Sequence, residues 1–375
     1  MWSHTLLSLS TLGALLLAAG APPSKPSAAL PAPVAVQRIA TDPADSWKAP
    51  QFVQANRKGN GFLLRGDNLR VYRIQPGKPL ELEFSLADAR PSPESILRAV
   101  LNAGGDEWLL FDGRAPHLYH GTKRRDLPTT DWSVRSVGFR GGTPVIGVGI
   151  TMRRPAAAVA RPPMTPPLVL EKRSDDWVSL VSEPLVEHGE AEDFHGAQIT
   201  ARDVLLLEGA EGRLWVANQY GYRLRQYSPG GRLLDEILVQ DGKPQELPSA
   251  QAEEFRQALE KAAAQRGPGA VAVVISFRRS VQALALGLDG RPYLFVGATS
   301  DGKVASLDRF DTAERRLERV RIALPADTAE EIASMAALKD GLLLAPFSGD
   351  RGRYLIRWED LEKADWKPVP ETDVR

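Results

Sequence analysis

Short apolar runs recur along the chain, and turn residues rather than long polar segments separate most of them. The clearest example is residues 212–239, which read GRLWVANQYGYRLRQYSPGGRLLDEILV. This stretch predicts an apolar strand, a tight polar connection, an alternating strand, a Ser-Pro-Gly-Gly turn and a third strand. Three strands joined by such short connections form most of one antiparallel four-stranded sheet.

Weaker copies of this pattern occur elsewhere, which makes the chain a repeat protein. Residues 70–86 align with residues 223–239, so that Pro76-Gly77 falls on Pro229-Gly230. Pro-Gly pairs favour tight turns, because proline presets the first torsion and glycine tolerates a positive φ. Other copies begin with the apolar runs at 107–111, 143–148, 290–296 and 341–345. Six such units predict an all-β fold, a β-propeller of six four-stranded antiparallel blades.

The type of apolar pattern also predicts where each strand lies. Continuous apolar runs predict inner strands that are buried on both faces, and alternating runs such as 223–227 predict strands nearer to solvent. In this interpretation residues 131–139 continue the unit that begins at 107, and the last unit takes its outer strand from the end of the chain. A Pro-rich segment, 155–167, interrupts one unit, so five or seven blades remain alternatives.

The N-terminus predicts export. An apolar run from Leu6 to Ala19 ends in small residues, which is typical of a signal peptide over residues 1–21; an uncleaved anchor is the alternative. Residues 22–46 are rich in Pro and Ala and predict a flexible leader. The propeller domain then occupies residues 47–375, with a helical insertion at about 240–280.

Composition narrows the compartment and the partners. The chain contains 47 basic and 47 acidic side chains, and this neutral balance argues against a nucleic-acid partner. It contains no cysteine, which excludes disulfides, thiolate metal sites and a lipoprotein anchor. We therefore expect a periplasmic or secreted monomer with no membrane span in the mature chain.

Antiparallel strands place two kinds of loop on one face of a propeller. The loops between the second and third strands of each blade emerge beside the connections from one blade to the next. The connection at 218–221, the loop at 187–196 and the insertion at 240–280 therefore share a face. Function on rigid scaffolds concentrates on such loops, so we expect a protein or small polar ligand to bind there.

Residues 204–239 resemble the six-bladed propeller superfamily that includes NHL-repeat proteins and the gluconolactonase and senescence-marker lactonases. The resemblance rests on EGRLWVANQYGYRLRQYSPGGRLL and, more faintly, on DGRPYLFV. In the lactonases this blade position supplies an Asn or Asp to a central metal, so the resemblance implies Asn218 as a metal ligand. The remaining lactonase ligands are not visible in this sequence.

Two groups of residues are candidates for a site. An amide-, phenol- and guanidinium-bearing set suits a polar ligand, a sugar or a carboxylate: Asn218, Gln219, Tyr220, Tyr222 and Arg223. The loop 187–195 adds Asp193 and His195, which together with Asn218 could hold a divalent metal. The alternatives are a solvated acidic loop for the second group, and a turn cap with packed tyrosines for the first.

These patterns favour an exported, non-catalytic module that binds a ligand or protein without a cofactor. The alternative is a metal-dependent hydrolase of the lactonase type, with Ca²⁺ or Zn²⁺ at the mouth of the central channel.

Overall fold

The structure is a computed structural model of the 375-residue chain. Apart from single residues at 96, 253 and 257, it describes residues 32–39, 51–66, 69–86, 98–113, 115–130, 132–149, 167–182, 203–239, 245–246, 277–297, 304–324, 332–346, 352–370 and 372–374. All strands belong to one unit, Pro33–Arg375.

Two short strands open this unit, and three blades follow them. The first two strands are β1 (Val34–Ala35) and β2 (Gln37–Ile39). Blade 1 contains β3 (Gln51–Ala55), β4 (Gly61–Arg65), β5 (Arg70–Ile74) and β6 (Glu81–Ser85). Blade 2 contains β7 (Arg98–Leu101), β8 (Glu107–Phe111), β9 (Pro116–His120) and β10 (Lys123–Asp126). Blade 3 contains β11 (Ser133–Arg140), β12 (Thr143–Gly149), β13 (Pro167–Arg173) and β14 (Asp176–Ser182).

The second half of the ring has three more blades and the terminal elements. Blade 4 contains β15 (Val204–Glu208), β16 (Leu214–Asn218), β17 (Arg223–Tyr227) and β18 (Leu233–Val239), with a 3-10 turn at Ala210–Gly212. A two-stranded ribbon, β19 (Gln245–Glu246) with β20 (Phe277–Arg278), precedes blade 5. Blade 5 contains β21 (Val281–Leu286), β22 (Pro292–Val296), β23 (Val304–Asp311) and β24 (Arg316–Ala323). Blade 6 contains β25 (Ile332–Ala337), β26 (Gly341–Pro346) and β27 (Arg353–Arg357), and after it come α1 (Trp358–Glu362), β28 (Lys367–Pro368) and β29 (Thr372–Val374).

The prediction of an all-β, six-bladed propeller is confirmed. Within blades 1 to 5 the four strands pair antiparallel and in sequence order, and in blade 6 the antiparallel fourth strand is β2. The first strands of successive blades contact one another around the axis, and the last of them, β25, contacts β3. The aligned repeat is also confirmed, since Arg70 and Arg223 each begin the third strand of their blade.

Six hydrophobic clusters hold the ring together, one between each pair of neighbouring blades. The second strand of each blade contributes to the clusters on both of its faces. In β4, for example, Leu63 packs towards blade 6 and Leu64 packs towards blade 2, and both are fully buried. A strand buried on both faces needs a continuous apolar run, which explains the pattern in the sequence.

The radial order of the strands differs from the sequence interpretation. The continuous apolar runs form the second strand of each blade, and a further strand lies inside each of them. Residues 133–140 are accordingly the innermost strand of blade 3 rather than part of blade 2. Their pairing with β12 is set by a two-residue turn at Gly141-Gly142, where both glycines have a positive φ (57° and 76°).

The two chain termini cover the outer edges of blades 4 to 6. Strand β2 completes blade 6 beside β27, whereas β1 pairs in parallel with β24 of blade 5. Strands β28 and β29 pair with the outer strands of blades 5 and 4. This corrects the expected flexible leader over residues 34–39, and also the expected C-terminal strand in blade 6. Three apolar residues within the Pro- and Ala-rich segment explain the pairing, because they pack onto the blade clusters: Val34, Val36 and Ile39.

Most of the predicted insertion at 240–280 lies outside the described residues. Glu253 and Gln257 are helical, and Gln257 Nε2 donates a hydrogen bond of 2.8 Å to Glu253 Oε1. The signal-peptide segment 1–21 lies outside the described residues too. Among the helices that the structure describes, none has the length and apolar character needed to cross a membrane.

Candidate functional site

The six innermost strands surround a cavity of about 690 Å³ along the propeller axis. Its middle is apolar and is lined by short and aliphatic side chains, including Val100, Leu205, Leu207, Leu284 and Ala336. Cavities of this size commonly accommodate small organic ligands. The channel is therefore the part of the described protein best shaped to take up a small molecule.

The two ends of the channel carry different charged groups. One end, at the start of the innermost strands, is lined by Arg98 and Arg279 with polar side chains beside them, Ser136, Gln219, Gln282 and Ser334. We call these six residues the loop-face mouth, because Gln219 belongs to a loop between second and third strands and Arg279 to a connection between blades. The other end, the opposite mouth, is lined by Arg57, Glu208 and Glu211, and Arg57 Nη2 lies 3.2 Å from Glu208 Oε1.

Three innermost strands contain an irregularity at the same height, next to the loop-face mouth. The pairing register shifts around Arg135 in β11, around Gln282 in β21 and around Ala333 in β25. Such bulges redirect a side chain out of the ladder, and they recur beside functional sites. The side chain of Gln282, at one of these bulges, accepts a hydrogen bond of 3.1 Å from the backbone N–H of Ile332. This bond links blades 5 and 6.

Buried polar atoms without a partner lie in the wall of this mouth. Among the described residues, Ser136 Oγ and Arg135 Nε are buried and make no hydrogen bond. Ser334, which occupies the corresponding position of blade 6, instead accepts a hydrogen bond of 3.1 Å from the backbone N–H of Val53 in blade 1. The seam between blades 3 and 4 thus has unused hydrogen-bonding capacity beside the channel.

The predicted ligand-binding segment begins with a capped turn. Asn218 Oδ1 accepts hydrogen bonds from the backbone N–H groups of Tyr220 (2.9 Å) and Gly221 (2.8 Å). This is the turn cap that the sequence offered as an alternative to a metal ligand. A carboxamide oxygen that already accepts two N–H groups fits a metal poorly, so the geometry of Asn218 favours the cap.

Gln219 and Tyr220 reach the loop-face mouth. Gln219 lines the channel, and its backbone C=O accepts hydrogen bonds from the N–H groups of Ser280 (2.6 Å) and Val281 (3.0 Å). The hydroxyl of Tyr220 lies 3.4 Å from Arg279 Nε, and the guanidinium carbon lies 5.8 Å from the ring centre. Arg279 Nη2 is also 3.8 Å from Asp203 Oδ2. These contacts hold the connection between blades 4 and 5 against the mouth.

Tyr222 points away from the channel and into the seam between blades 4 and 5. Its hydroxyl donates a hydrogen bond of 2.6 Å to Asp308 Oδ2, and Asp308 is fully buried. Arg319 binds the same carboxylate through two hydrogen bonds, of 2.7 and 2.8 Å. Burial, and then the charge of Asp308, raise the pKa of the Tyr222 hydroxyl well above its ordinary value.

Burial alone would lower the pKa of Arg319, but the hydrogen bonds and charge of Asp308 outweigh that effect and leave the pKa raised. Both partners of the carboxylate therefore keep their protons throughout the physiological range. Tyr222 serves the seam rather than the channel.

Arg223 also lies apart from the mouth. It begins β17 opposite Leu238 of β18, and its Nε lies 3.6 Å from Glu236 Oε1. Arg225 shares the same carboxylate at 2.7 Å. The structure thus divides the predicted ligand-binding set: Gln219 lines the channel, Tyr220 contacts the channel residue Arg279, Asn218 caps the turn, and Tyr222 and Arg223 contact other strands.

The predicted metal ligands Asp193 and His195 lie outside the described residues, so this part of the metal hypothesis stays a prediction. Within the part of the chain that the structure describes, no group of three or more carboxylate and imidazole side chains is arranged to hold a metal ion.

Arg98, Ser136 and Arg279 were missed by the sequence analysis. Arg98 begins β7, Arg279 lies just before β21, and Ser136 lies within β11 next to its bulge. Had those strands been assigned, these polar positions would have been the signal.

No protein-family model matches this chain, and no curated protein matches it. Solved structures do resemble it. One is a catalytically inactive variant of virginiamycin B lyase from Staphylococcus aureus with quinupristin (9% identity, 85% of this chain and 97% of that chain, TM-score 0.45). Others are the PQQ domain of pyranose dehydrogenase from Coprinopsis cinerea (10%, 86% and 95%, 0.48) and the WD40 repeats of RRP9 (11%, 86% and 99%, 0.43). At this identity the likeness concerns the fold alone.

Proposed function

We propose that this protein is an exported, non-catalytic binding module of the cell envelope, and that it takes up a small polar ligand at the loop-face mouth of its central channel. The observation that carries the proposal is the axial cavity of about 690 Å³, with polar side chains at its loop-face mouth. A largely apolar pocket with a few placed polar groups is the common form of a small-molecule site.

The polar groups at this mouth are held in place, which supports binding. Ser280 Oγ donates a hydrogen bond of 2.9 Å to the backbone C=O of Tyr220, beside the two bonds that Gln219 accepts. Arg279 and Gln219 therefore project from a connection that is anchored to the blade 4 turn. A preorganised site binds more tightly because less side-chain entropy is lost on binding.

Export rests on the N-terminal sequence and on the lack of cysteine. The lactonase alternative depends on Asp193, His195 and Asn218, and Asn218 fits a turn cap better than a metal. We therefore place the binding function first.

A variant that fills the channel tests the proposal. Ala333 lies at a bulge, lines the channel and is half-buried, so Ala333→Trp places an indole at the mouth. Melting temperatures are measured with a panel of small carboxylates, sugars and amino acids. Compounds that raise the melting temperature of the wild type should have no effect on Ala333→Trp. They should keep their effect on the matched control Ala313→Trp, which alters an exposed turn between β23 and β24.

Two further measurements test whether the protein is non-catalytic and whether it is exported. Recovery of the bound compound unchanged by mass spectrometry supports a non-catalytic role, whereas turnover that Asn218→Ala abolishes supports the lactonase alternative. Export predicts that a full-length chain produced in bacteria appears in the periplasm or medium, shortened by about the predicted signal peptide, residues 1–21. A cytoplasmic chain of full length contradicts export.

A further inference from the structure

An ion pair crosses the opposite mouth of the channel from one side to the other. Arg57 follows the innermost strand of blade 1, and Glu208 is the last residue of the innermost strand of blade 4. Because the blades follow one another around the ring in sequence order, blades 1 and 4 face each other across the axis. Arg57 Nη2 nevertheless lies only 3.2 Å from Glu208 Oε1. The Arg57 side chain therefore extends across the opening.

The loop that carries Arg57 is held by the blades on both sides of it. The backbone N–H of Arg57 donates a hydrogen bond of 3.0 Å to the C=O of Ala103 in blade 2, and the N–H of Lys339 in blade 6 donates one of 3.1 Å to the C=O of Gly59. Gly59 has a φ of 72°, and a Cβ at this position would lie 2.9 Å from the Lys339 nitrogen, so glycine permits the close approach. The base of the arginine is thus fixed, and its side chain alone spans the axis.

The ion pair lies at the boundary between two cavities. A second cavity, of about 400 Å³, shares four lining residues with the axial cavity: Arg57, Ala103, Glu208 and Glu211. Its other lining residues belong to the turns between the first and second strands of blades 2, 3 and 4: Asn102, Gly104, Gly141, Gly142 and Gly212. We call this second cavity the outer chamber, because these turns lie on the face opposite to the loop-face mouth. The pair separates the channel from the outer chamber.

The neighbouring charges direct Arg57 to Glu208. Glu211, the other carboxylate of this mouth, has a cation beside it, since its Oε2 lies 3.4 Å from Arg213 Nη2. The Glu208 side chain is 11% exposed and that of Arg57 is 57% exposed. An ion pair so open to water adds little to stability. Its position across the axis therefore favours a role in access to the channel over a role in folding.

We propose that the Arg57–Glu208 pair closes the opposite mouth, so that the channel is a pocket with one entrance. Its ligand then enters and leaves through the loop-face mouth. Because the pair is partly exposed, salt screens it and opens the closed end. This inference rests on the proposed function for the ligand's route, but the closed end itself can be tested without any ligand.

The reactivity of a single cysteine tests the closed end, since the natural chain contains no cysteine. Ala55 lines the channel and is half-buried, so Ala55→Cys places a thiol on its wall. Ala333→Trp in the same chain narrows the loop-face mouth. N-ethylmaleimide, a neutral reagent followed by mass spectrometry, should then modify the thiol slowly. Adding Arg57→Ala should raise the rate about fivefold or more, as expected for the loss of an ion pair of ordinary strength.

Two more variants show whether the crossing pair is responsible. Glu208→Gln keeps the size of the side chain, removes its charge and should raise the rate as Arg57→Ala does. Arg213→Ala is the matched control, because it removes an arginine at the same mouth whose ion pair does not cross the axis, and it should leave the rate unchanged. Raising sodium chloride to about 1 M should speed the reaction when Arg57 is present and have no effect in Arg57→Ala.

The results that overturn the closed end differ from those that overturn binding. If Arg57→Ala and Glu208→Gln both react at the rate of the parent chain, the pair does not close the mouth. If Ala333→Trp fails to slow the reaction, reagent enters from the opposite mouth and the inference is wrong as well. In either case compounds that raise the melting temperature still support the binding function. If no compound of the panel binds, the proposed function fails, whereas the cysteine reactivity still decides whether the channel has one entrance.

Discussion

Two sets of side chains lie on either side of one turn, and each consists of a tyrosine, an arginine and an aspartate. The two sets differ in the distances between their polar atoms. In the seam between blades 4 and 5, Tyr222 and Arg319 contact Asp308 at 2.6 to 2.8 Å. At the loop-face mouth, Tyr220 and Asp203 lie 3.4 and 3.8 Å from Arg279.

The exposure of the arginines does not explain this difference. The side chains of Arg319 and Arg279 are each 31% exposed. What differs is the carboxylate: Asp308 is fully buried and accepts hydrogen bonds from both partners, whereas Asp203 stands beyond hydrogen-bond length from its arginine. The seam set has the geometry of a structural clamp, whereas the contacts described for the mouth set are longer.

The largest expected effect comes from breaking the clamp. Asp308→Asn removes the charge that Arg319 and Tyr222 share and should lower the free energy of unfolding by about 3 kcal/mol, somewhat less than for a wholly buried pair because Arg319 reaches water. Urea denaturation measures the change. Asp203→Asn is the matched control, and an equal loss in both variants would remove the distinction between the two sets.

Removing the tyrosine hydroxyl from each set should have unequal effects. Tyr222→Phe deletes a 2.6 Å hydrogen bond to a buried carboxylate and should cost about 2 kcal/mol of unfolding free energy. Tyr220→Phe deletes only a long contact of 3.4 Å and should cost about 0.5 kcal/mol or less. Comparable losses in the two variants, again by urea denaturation, would contradict the comparison.

The raised pKa of Tyr222 makes the clamp sensitive to alkali. The folded-state pKa lies above the unfolded value near 10, so the stability is fully present below pH 10 and is lost as the pH rises towards the folded-state pKa. By about pH 11 the loss from this one group should be about 1.4 kcal/mol. Tyr222→Phe lacks this titrating hydroxyl. The difference in unfolding free energy between wild type and variant should therefore decrease by that amount between pH 8 and pH 11. A constant difference would show that the hydroxyl titrates normally.

Local patterns were sufficient to predict the fold, because the second strands are buried on both faces and must be continuously apolar. Leu214–Asn218 and its copies could therefore be found from the sequence. The innermost strands could not, since positions such as Gln54 and Arg98 face the channel and interrupt the apolar pattern. The N-terminal strands were hidden because only Val34, Val36 and Ile39 pack within a segment whose composition is typical of a linker.

The candidate site could be predicted only in part for a related reason. The turn at 218–221 was visible, and so was its place on the loop face. Which tyrosine lies beside the mouth depends on Asp308, which is 86 residues from Tyr222, and on Arg279, which is 59 residues from Tyr220. Contacts at that separation follow from the order of the blades around the ring, and no local pattern encodes them.

Crystallography of the protein with a compound that raises its melting temperature tests the central claim most directly, because it locates the bound molecule. We predict that the compound lies inside the channel, at the loop-face mouth beside Gln219. A compound bound only at the outer surface of the blades would contradict the claim.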